Sequence, residues 1–500
     1  MLDKKQLSDI GFSYILERLE PNSALAEELK RRAAPYPADG GDALFRELEN
    51  VGLLFSALKE NREGFYPLER ALMQMKDIRR SVANSREMTL SEVELFEIKR
   101  FLILLEGLEK ACFELPVIEK LNSISIFSMK DALDILDPDG MRAQTFRLSD
   151  NCSEELRNIR RERKRVDNEL RSLGSAASDK RDALTAERTI LAAREENEEQ
   201  RLRGIMTEDF SAHSNKLEEL MGSIARLDFA LAKAKLMLAE GGCIPKLADC
   251  GEASELELKN MVNPMLRAIL KDKGRSFTPV SIALSKGAAV ITGANMGGKS
   301  VAVKTLALNA HLALSGFPVF AESAVIPMLG GIHLLYEDRE DSRGGLSSFG
   351  GEMTRFGAIL DSVSQTPDQL VLLDEFARGT NPSEGSALVR AAVRYFNAKR
   401  SAYALITTHF DDVASLAARH YQVMGLKNAD PVALEAALAG AGGGQDEALS
   451  ASELLSRFMD YGLFRAESTE NPPRDALKIC RALRVSDEFM GFVEENAASE

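Results

Sequence analysis

The stretch ITGANMGGKS, residues Ile291 to Ser300, decides the fold of this 500-residue chain. Within it, Gly293 to Ser300 follow the pattern G-x-x-x-x-G-K-[ST], whose glycines let backbone N–H groups turn inward around phosphate groups. The apolar run AAVIT leads into the pattern, and the helical segment SVAVKTLALNAHLAL continues from it. A strand before the loop and a helix after it are the context that such a loop needs, because the helix N-terminus adds positive potential. The stretch therefore predicts a site for a nucleoside triphosphate.

The side chains of this loop have distinct predicted roles. Lys299 is expected to reach the terminal phosphates, and the hydroxyl of Ser300 is expected to ligate Mg²⁺. ATP and Mg²⁺ are therefore the predicted cofactors. The predicted nucleotide-binding residues of the loop and its helix are Gly293, Asn295, Met296, Gly297, Gly298, Lys299, Ser300 and Val301.

Two carboxylates follow a later apolar run of the chain. Residues 370–373 read as a buried strand, and Asp374 and Glu375 come directly after it. Paired carboxylates beside a buried strand are costly unless a cation compensates them. Asp374 is therefore expected to hold Mg²⁺ through water, and Glu375 to orient or deprotonate the attacking water.

His409 ends a third apolar run, YALITTH, and is one of five histidines. A histidine at a strand end is often a core or surface residue, and this alternative stays open. Its position downstream of the Asp-Glu pair favours a sensor of the γ-phosphate. The predicted catalytic residues are thus Lys299, Glu375 and His409.

Composition and charge limit the classes of function. Hydrophobic residues make up 45% and charged residues 28%, which is typical of a soluble globular protein. The net charge of -14 provides no global attraction to nucleic acid, and any DNA contact needs a local basic patch. No run approaches the roughly 20 apolar residues that span a bilayer. The cysteines lack C-x-x-C spacing, and we expect reduced thiols in a cytoplasmic protein without membrane contact. They are Cys112, Cys152, Cys243, Cys250 and Cys480.

Four consecutive parts are predicted along the chain, which gives a mixed fold class. Residues 1–150 show helical periodicity and predict an all-α core, in which Thr89 and Glu92 resemble a capping box. Residues 151–240 are predicted to form a coiled-coil lever or clamp arm. Residues 241–427 alternate short apolar runs with helical segments, which predicts a largely parallel α/β domain. Residues 428–500 are predicted to be a Gly-rich linker and a small helical tail.

The predicted arm contains two helical runs. The first is less regular, and the second has a seam in which steps of three and four residues alternate. Together they suggest an antiparallel hairpin, and about 45 helical residues would reach roughly 65 Å. The basic run Arg157 to Arg165 could contact a phosphate backbone, but the solvated face of a coiled coil is favoured. The first run carries Leu156, Ile159, Val166, Leu170 and Leu173, and the seam is Leu217, Leu220, Ile224, Leu227, Leu231, Ala234 and Leu238.

Four motifs in one order carry a family resemblance. GANMGGKS, LSSFGGEM, LLDEFARGTNPSEG and TTHF resemble the ATPase domain of the MutS family of DNA mismatch repair proteins, over about residues 255–425. The resemblance implies an ABC-type P-loop ATPase domain that forms a homodimer. It implies that Ser347 of one copy reaches the nucleotide bound by the other, and that Asn295 lies near the γ-phosphate. It also implies that Phe277 stacks on adenine, although Phe277 fits a core position equally well.

The same resemblance implies a clamp that opens and closes on a macromolecule as ATP is bound and hydrolysed. Mismatch-recognising members carry an N-terminal α/β domain with a Phe-x-Glu wedge, whereas this chain is expected to begin near the helical core. Phe45-Arg-Glu47 spells that motif, but the neighbouring Leu44 and Leu48 suggest a packed helix. The favoured partner by family is DNA, in a mismatch-repair-like or branched-DNA role.

A second resemblance keeps another class of partner open. LDPDGMRAQTF, ITGANMGGKSV, SSFGGEM and ARGTNPSEG are similar to MutS-related ATPases that reactivate an adenosylcobalamin-dependent lysine 5,6-aminomutase. Such a protein would act as a chaperone on the aminomutase and would not bind DNA. The acidic net charge and the missing wedge favour this alternative.

Overall fold

The structure, a computed structural model, describes residues 2–143, 148–173, 178–249, 254–293, 298–336, 348–426, 430, 458–466, 486, 489–490 and 493. Two compact units are assembled from separate stretches of the chain. Unit 1 comprises Met1–Leu19, Ala33–Gly52 and Lys233–Glu500, and unit 2 comprises Glu20–Arg32 and Leu53–Ala232. The division into four consecutive parts stays a prediction.

Helices dominate the first half of the chain, and strands enter in the second half. The helices are α1 Lys4–Asp9, α2 Phe12–Arg18, α3 Ala24–Arg31, α4 Gly41–Glu60, α5 Tyr66–Gln74, α6 Arg79–Asn84, α7 Glu92–Phe113, α8 Lys130–Leu136, α9 Glu154–Ser172, α10 Ser178–Ser211, α11 Ser214–Glu240, α12 Pro264–Asp272, α13 Lys299–Leu314, α14 Ser348–Gln365 and α15 Pro382–Lys399. The strands are β1 Lys246–Ala248, β2 Glu255–Met261, β3 Val280–Ser285, β4 Gly287–Thr292, β5 Ser323–Pro327, β6 Gly331–Leu335, β7 Gln369–Leu373, β8 Ala402–Thr407, β9 Arg419–Gly425 and β10 Asp460–Arg465.

The start of α7 differs from the sequence prediction by two residues. The N-cap is Ser91, whose side chain accepts from the Glu94 N–H while the Glu94 side chain accepts from the Ser91 N–H. The predicted capping box of Thr89 and Glu92 is therefore wrong. Both pairs have the [ST]-x-x-E spacing, but Ser91 directly precedes the first helical residue and satisfies the free N–H groups there.

Helices α9 and α10 pack against each other in an antiparallel arrangement within unit 2. Arg160 on α9 pairs with Glu195 and Glu199 on α10, whereas Arg165, further along α9, pairs with Glu187. Residue numbers therefore rise along one helix as they fall along the other. The sequence predicted a hairpin between α9 and the seam run of residues 217–238. The ion pairs instead join α9 to α10, the polar run that lies between α9 and the seam run in the sequence.

Helix α11 carries the predicted apolar seam. All its seam residues are buried except Leu238, which is 40% exposed. Asp228 on the same helix is also buried, and its carboxylate accepts from the backbone N–H groups of Asn22 and Ser23 at 3.0 and 2.6 Å. The predicted apolar seam is therefore packed against other parts of the protein. A lever function of this helix stays a prediction.

Unit 1 contains a six-stranded sheet in the order β10-β9-β4-β8-β7-β6. The strands from β9 to β6 run parallel, and β10 pairs with β9 in the antiparallel direction. Every residue of β4, β7 and β8 is buried, which explains why these strands are continuous apolar runs in the sequence. Residues of α14 and α15 share a core with the sheet. The predicted parallel α/β architecture is confirmed for these strands.

A smaller sheet and the N-terminal helices complete unit 1. The smaller sheet has the order β1-β5-β2-β3. The ring of Phe12 on α2 meets the ring of His311 on α13 edge to face, with centroids 4.4 Å apart. The side-chain amide of Asn263 donates to the carbonyl oxygen of Ile10 at 2.9 Å. The first helices of the chain are therefore built into the α/β unit.

Residues Asp460–Arg465 of the C-terminal tail form strand β10, which corrects the predicted helical tail at this point. The described residues 489, 490 and 493 are helical, as predicted. Leu463 pairs with Val423 and Phe464 with Gln422, and the register shifts between Asp460 and Leu463. Apolar and aromatic residues favour strands when a sheet edge is available, and β9 supplies that edge. The predicted Gly-rich linker lies largely outside the described residues.

Candidate active site

The predicted phosphate-binding loop joins β4 to α13. Gly293 has φ +132° and Gly298 has φ +84°, and side-chain-bearing residues rarely adopt such values. A Cβ atom at Gly293 would also lie 3.2 Å from the Cβ of Val423 on β9. Gly298 is the N-cap of α13, a helix of 16 residues. The backbone at both ends of the loop therefore requires glycine, and the loop ends at a helix N-terminus.

Lys299 is the first residue of α13, and its side chain is only 2% exposed. Its ammonium donates to the carbonyl oxygen of Gly293 at 2.7 Å, and it lies 3.8 Å from Oε1 of Glu375. Burial lowers the pKa of Lys299, while the charges of Glu375 and Asp374 act to raise it. The structure therefore places a buried ammonium at the end of this loop, in agreement with the predicted position of Lys299.

Asp374 follows β7 and is 8% exposed. The hydroxyl of Thr407 donates to its Oδ1 at 2.8 Å, and the backbone N–H of Asp374 donates to the carbonyl oxygen of Leu335 at 2.7 Å. Burial raises the pKa of Asp374, and hydrogen bonds from Ser300 and Thr407 oppose that change. The structure thus brings together the predicted Mg²⁺ ligands Ser300 and Asp374, whose oxygens suit a hard cation.

Glu375 begins a tight turn after β7. Its φ is +52° and that of Ala377 is +61°, both in the left-handed region. The N–H of Glu375 donates to the hydroxyl of Thr407 at 2.8 Å, and the N–H of Ala377 donates to Oε1 of Glu352 at 3.2 Å. The carboxylate of Glu375 forms an ion pair with Arg378. Elements on two sides therefore fix the backbone that presents the predicted catalytic carboxylate.

A cavity of about 540 Å³ opens beside the loop. Phe277 is half-buried and forms part of its wall, and it is therefore near the loop rather than deep in the core. Val301 also lines the cavity and is 36% exposed. The lining residues are Leu270, Gly274, Arg275, Ser276, Phe277, Thr278, Val280, Gly298, Lys299, Ser300, Val301, Ala302, Met459 and Tyr461.

Two lining residues, Met459 and Tyr461, were missed from the sequence. They reach the loop because β10 returns along β9 at the edge of the sheet next to β4. The tyrosine and glycine of the run MDYGLF could have indicated a strand. Nothing local could show that the strand returns to a loop more than 150 residues earlier in the chain.

Of the remaining predicted site residues, the structure describes His409 but not the others. His409 lies two residues beyond β8, is exposed, and stacks against Phe410 with ring centroids 4.1 Å apart. Its assignment as a γ-phosphate sensor stays a prediction. Asn295, Met296, Gly297 and Ser347 lie outside the described residues.

The Phe-x-Glu sequence of α4 is part of a packed helix, as expected. Phe45 is 56% exposed, while Leu44 is fully buried. The Glu47 carboxylate accepts from the ammonium of Lys233 at 2.7 Å, and the same ammonium donates to the carbonyl oxygen of Gly316 at 2.9 Å. A glutamate that compensates a buried lysine is engaged in the interior of unit 1 and cannot contact a base.

Carboxylates pair with three of the six basic side chains in the run Arg157 to Arg165, namely Arg160, Arg163 and Arg165. Arg160 is 9% exposed and pairs with Asp150, Glu195 and Glu199. Arg163 shares Glu195 with it. These contacts agree with the favoured interpretation, a charged helix face that its neighbour balances in part.

The part of the chain that contains the site is similar in sequence to known proteins. Residues 289–436 match the family model described as MutS domain V. The chain is 30% identical over 233 residues to an Endonuclease MutS2 of Listeria monocytogenes serotype 4a, which is 46% of this chain and 28% of that protein. It is 31% identical over 221 residues to a DNA mismatch repair protein MutS of Solibacter usitatus, 44% of this chain and 24% of that protein. An Endonuclease MutS2 of Solidesulfovibrio magneticus is 36% identical over 184 residues, 37% of this chain and 23% of that protein.

The segment 289–436 therefore matches MutS domain V, and the resemblance predicted from the motifs is confirmed over somewhat less than half of the chain. The chain spans about a quarter of the length of these relatives. Among the helices of the described ranges, none has the length and apolar run needed to cross a membrane.

Proposed function

We propose that this chain is a Mg²⁺-dependent ATP hydrolase of the MutS type. The observation that carries the proposal is the meeting of Lys299, Asp374 and Glu375 at the N-terminus of α13, beside a cavity of about 540 Å³. Two carboxylates and one buried ammonium in this arrangement suit phosphoryl transfer to water. The match to MutS domain V supports the same chemistry.

The residues present fit ATP and Mg²⁺. Lys299 and the backbone after Gly293 would bind the phosphates, and Ser300 and Asp374 would hold the metal ion. Asp374 is 8% exposed and burial raises its pKa, so a bound cation would favour its ionised form. Held by Ser300 and Asp374, Mg²⁺ would supply positive charge that neutralises the phosphate oxygens.

The chain's own residues then have separate tasks. Glu375, held on its fixed turn, would orient the attacking water and accept its proton. His409 would sense the γ-phosphate, and Phe277 would contact the base from the cavity wall. The loop residues Asn295, Met296 and Gly297 would complete the phosphate contacts.

The active form is proposed to be a homodimer of ABC-type ATPase domains. Ser347 precedes α14, whose Glu352 accepts from the turn that carries Glu375. A partner nucleotide held by Ser347 would therefore act on the same helix that steadies the catalytic turn. Binding and hydrolysis would open and close the dimer, and helical arms would convert that change into grip or release.

DNA is the proposed macromolecule. The relatives carry the names Endonuclease MutS2 and DNA mismatch repair protein MutS, and the proposal follows those names. Mismatched or branched DNA would be held without the Phe-x-Glu wedge, since Glu47 is engaged with Lys233.

A second candidate is an ATP-dependent chaperone that reactivates an adenosylcobalamin-dependent aminomutase. The observation that favours it is the pairing of Arg160 and Arg163 in the basic run 157–165 with acidic residues, because cations that are already paired release fewer counterions from DNA. The net charge of -14 points in the same direction.

ATP turnover by the full chain, measured across a salt series, separates the candidates. Duplex DNA, branched DNA and the aminomutase are added in turn. Stimulation by DNA that falls steeply with salt supports the first candidate. Indifference to DNA together with stimulation by the aminomutase supports the second, and absence of turnover in every arm contradicts both.

A further inference from the structure

The catalytic carboxylate Glu375 lies between two cations. On one side the guanidinium of Arg378 contacts its Oε2, and on the other the ammonium of Lys299 is 3.8 Å from its Oε1. Only the first contact is a direct hydrogen bond, since 3.8 Å is too long for one. Lys299 instead donates to the carbonyl oxygen of Gly293.

Hydrogen bonds hold the backbone around Glu375 in place. Thr407 and Glu352 hold the N–H groups of Glu375 and Ala377, and the N–H of Arg378 donates to the carbonyl oxygen of Glu375 at 3.3 Å. The position of the carboxylate therefore depends on side-chain rotation alone. A small rotation away from Arg378 would bring it into direct contact with Lys299.

A direct contact would harm the site. Lys299 is 2% exposed, and in that setting a carboxylate at hydrogen-bond distance would compete strongly with phosphate oxygens. Arg378 is 48% exposed, and it can hold the carboxylate without being part of the buried phosphate-binding surface. The charge of Arg378 also acts to lower the pKa of Lys299, which agrees with their closeness.

We propose that Arg378 is a positioning residue that holds the Glu375 carboxylate away from Lys299 and thereby keeps the ammonium available for phosphate. The proposal rests on the proposed function of the site. It assigns to Arg378 a role in nucleotide binding that depends on Glu375, although Arg378 itself is not a ligand of the phosphates.

A double-mutant cycle on the full chain tests this role. Arg378→Gln, Glu375→Gln and the double variant are compared with the parent for binding of ADP and of a non-hydrolysable ATP analogue, each with Mg²⁺, by calorimetry. In the parent background, Arg378→Gln is expected to weaken binding about tenfold more than it does in the Glu375→Gln background. Without the carboxylate, no charge at position 375 competes with phosphate for Lys299, and the loss of Arg378 then removes only a nearby positive charge.

Two further variants complete the test. Arg378→Lys retains the charge and should bind nucleotide nearly as well as the parent. Arg390→Gln removes an arginine of similar exposure that pairs with Asp412 at 3.4 Å, and it should leave binding unchanged. Equal losses from Arg378→Gln in both backgrounds overturn the proposal, as does tighter binding by that variant. A parent protein that binds no nucleotide would instead refute the proposed function.

Discussion

Tyr461 lies against Gly298, the N-cap of helix α13. A Cβ atom at Gly298 would be 3.1 Å from Cδ1 of Tyr461, and both residues line the cavity. A strand from the end of the chain therefore closes one side of the proposed nucleotide site.

Tyr461→Ala is expected to weaken nucleotide binding about two- to tenfold, because one aromatic wall of the cavity is lost. Binding of a fluorescent ATP analogue checks the prediction. Phe464→Ala is the matched control, since Phe464 is in the same strand and is not among the lining residues. Equal weakening by both variants would show that the strand matters only for the fold.

Glu375→Gln and Lys299→Ala should separate chemistry from binding. Glu375→Gln is expected to lower kcat by about 100- to 10,000-fold and to retain nucleotide, because only the proton acceptor is lost. Lys299→Ala should lose both binding and turnover. Single-turnover hydrolysis and equilibrium binding are the measurements, with Lys259→Ala, an exposed lysine of the smaller sheet, as control. Parent-like hydrolysis by Glu375→Gln contradicts the assignment.

The buried pair of Lys233 and Glu47 gives a prediction about stability. Lys233 is 1% exposed, and burial lowers its pKa while Glu47 opposes that change. Glu47→Leu removes the carboxylate that pairs with the buried ammonium and is expected to reduce the free energy of unfolding by about 3–5 kcal/mol. The double variant Glu47→Leu with Lys233→Met should recover most of the loss. Urea unfolding decides, and a double variant no more stable than Glu47→Leu alone refutes the pairing argument.

His311 predicts a pH dependence of stability. Burial lowers the pKa of His311 from 6.5 to about 4, and its Nε2 has no hydrogen-bond partner among the described residues. The unfolded chain binds the proton near pH 6.5 and the folded chain resists it to about pH 4. The stability from neutral His311 is therefore complete above about pH 6.5 and falls by at most about 3 kcal/mol as the pH falls to about 4.

His311→Leu should lack this part of the pH dependence, while His409→Leu, which replaces an exposed histidine, should retain it. The free energy of unfolding is measured at several pH values from about 4 to about 7, because this interval contains the folded-state pKa of His311 and its ordinary value. Parallel curves for the parent and His311→Leu would exclude the histidine as the cause.

The sequence predicted those features whose signals are local. The strands β4, β7 and β8 are buried on both faces, and strands of this kind consist of unbroken apolar runs in the sequence. The loop between Gly293 and Lys299 needs fixed residue types because its backbone geometry tolerates few others. The position of each carboxylate after β7 followed from the same run.

Features set by distant partners could not be predicted in this way. The pairing of Tyr461 with the loop depends on sheet order, and that of Arg378 with Glu375 depends on two left-handed backbone positions. Ion pairs such as that of Arg160 with Glu195 join α9 to its antiparallel partner α10. The spacing of apolar residues alone does not indicate such pairs. In each case the deciding contact joins residues whose local patterns are unremarkable.

The interleaved composition of unit 1 has a consequence for synthesis on the ribosome. Ile10 and Phe12 receive their contacts from Asn263 and His311, which are translated some 250 to 300 residues later. The N-terminal helices therefore gain these two contacts only after the whole of unit 2 has been synthesised. Nascent chains halted before α13 should be client substrates for holding chaperones, and the onset of protease resistance should coincide with release of the last third of the polypeptide.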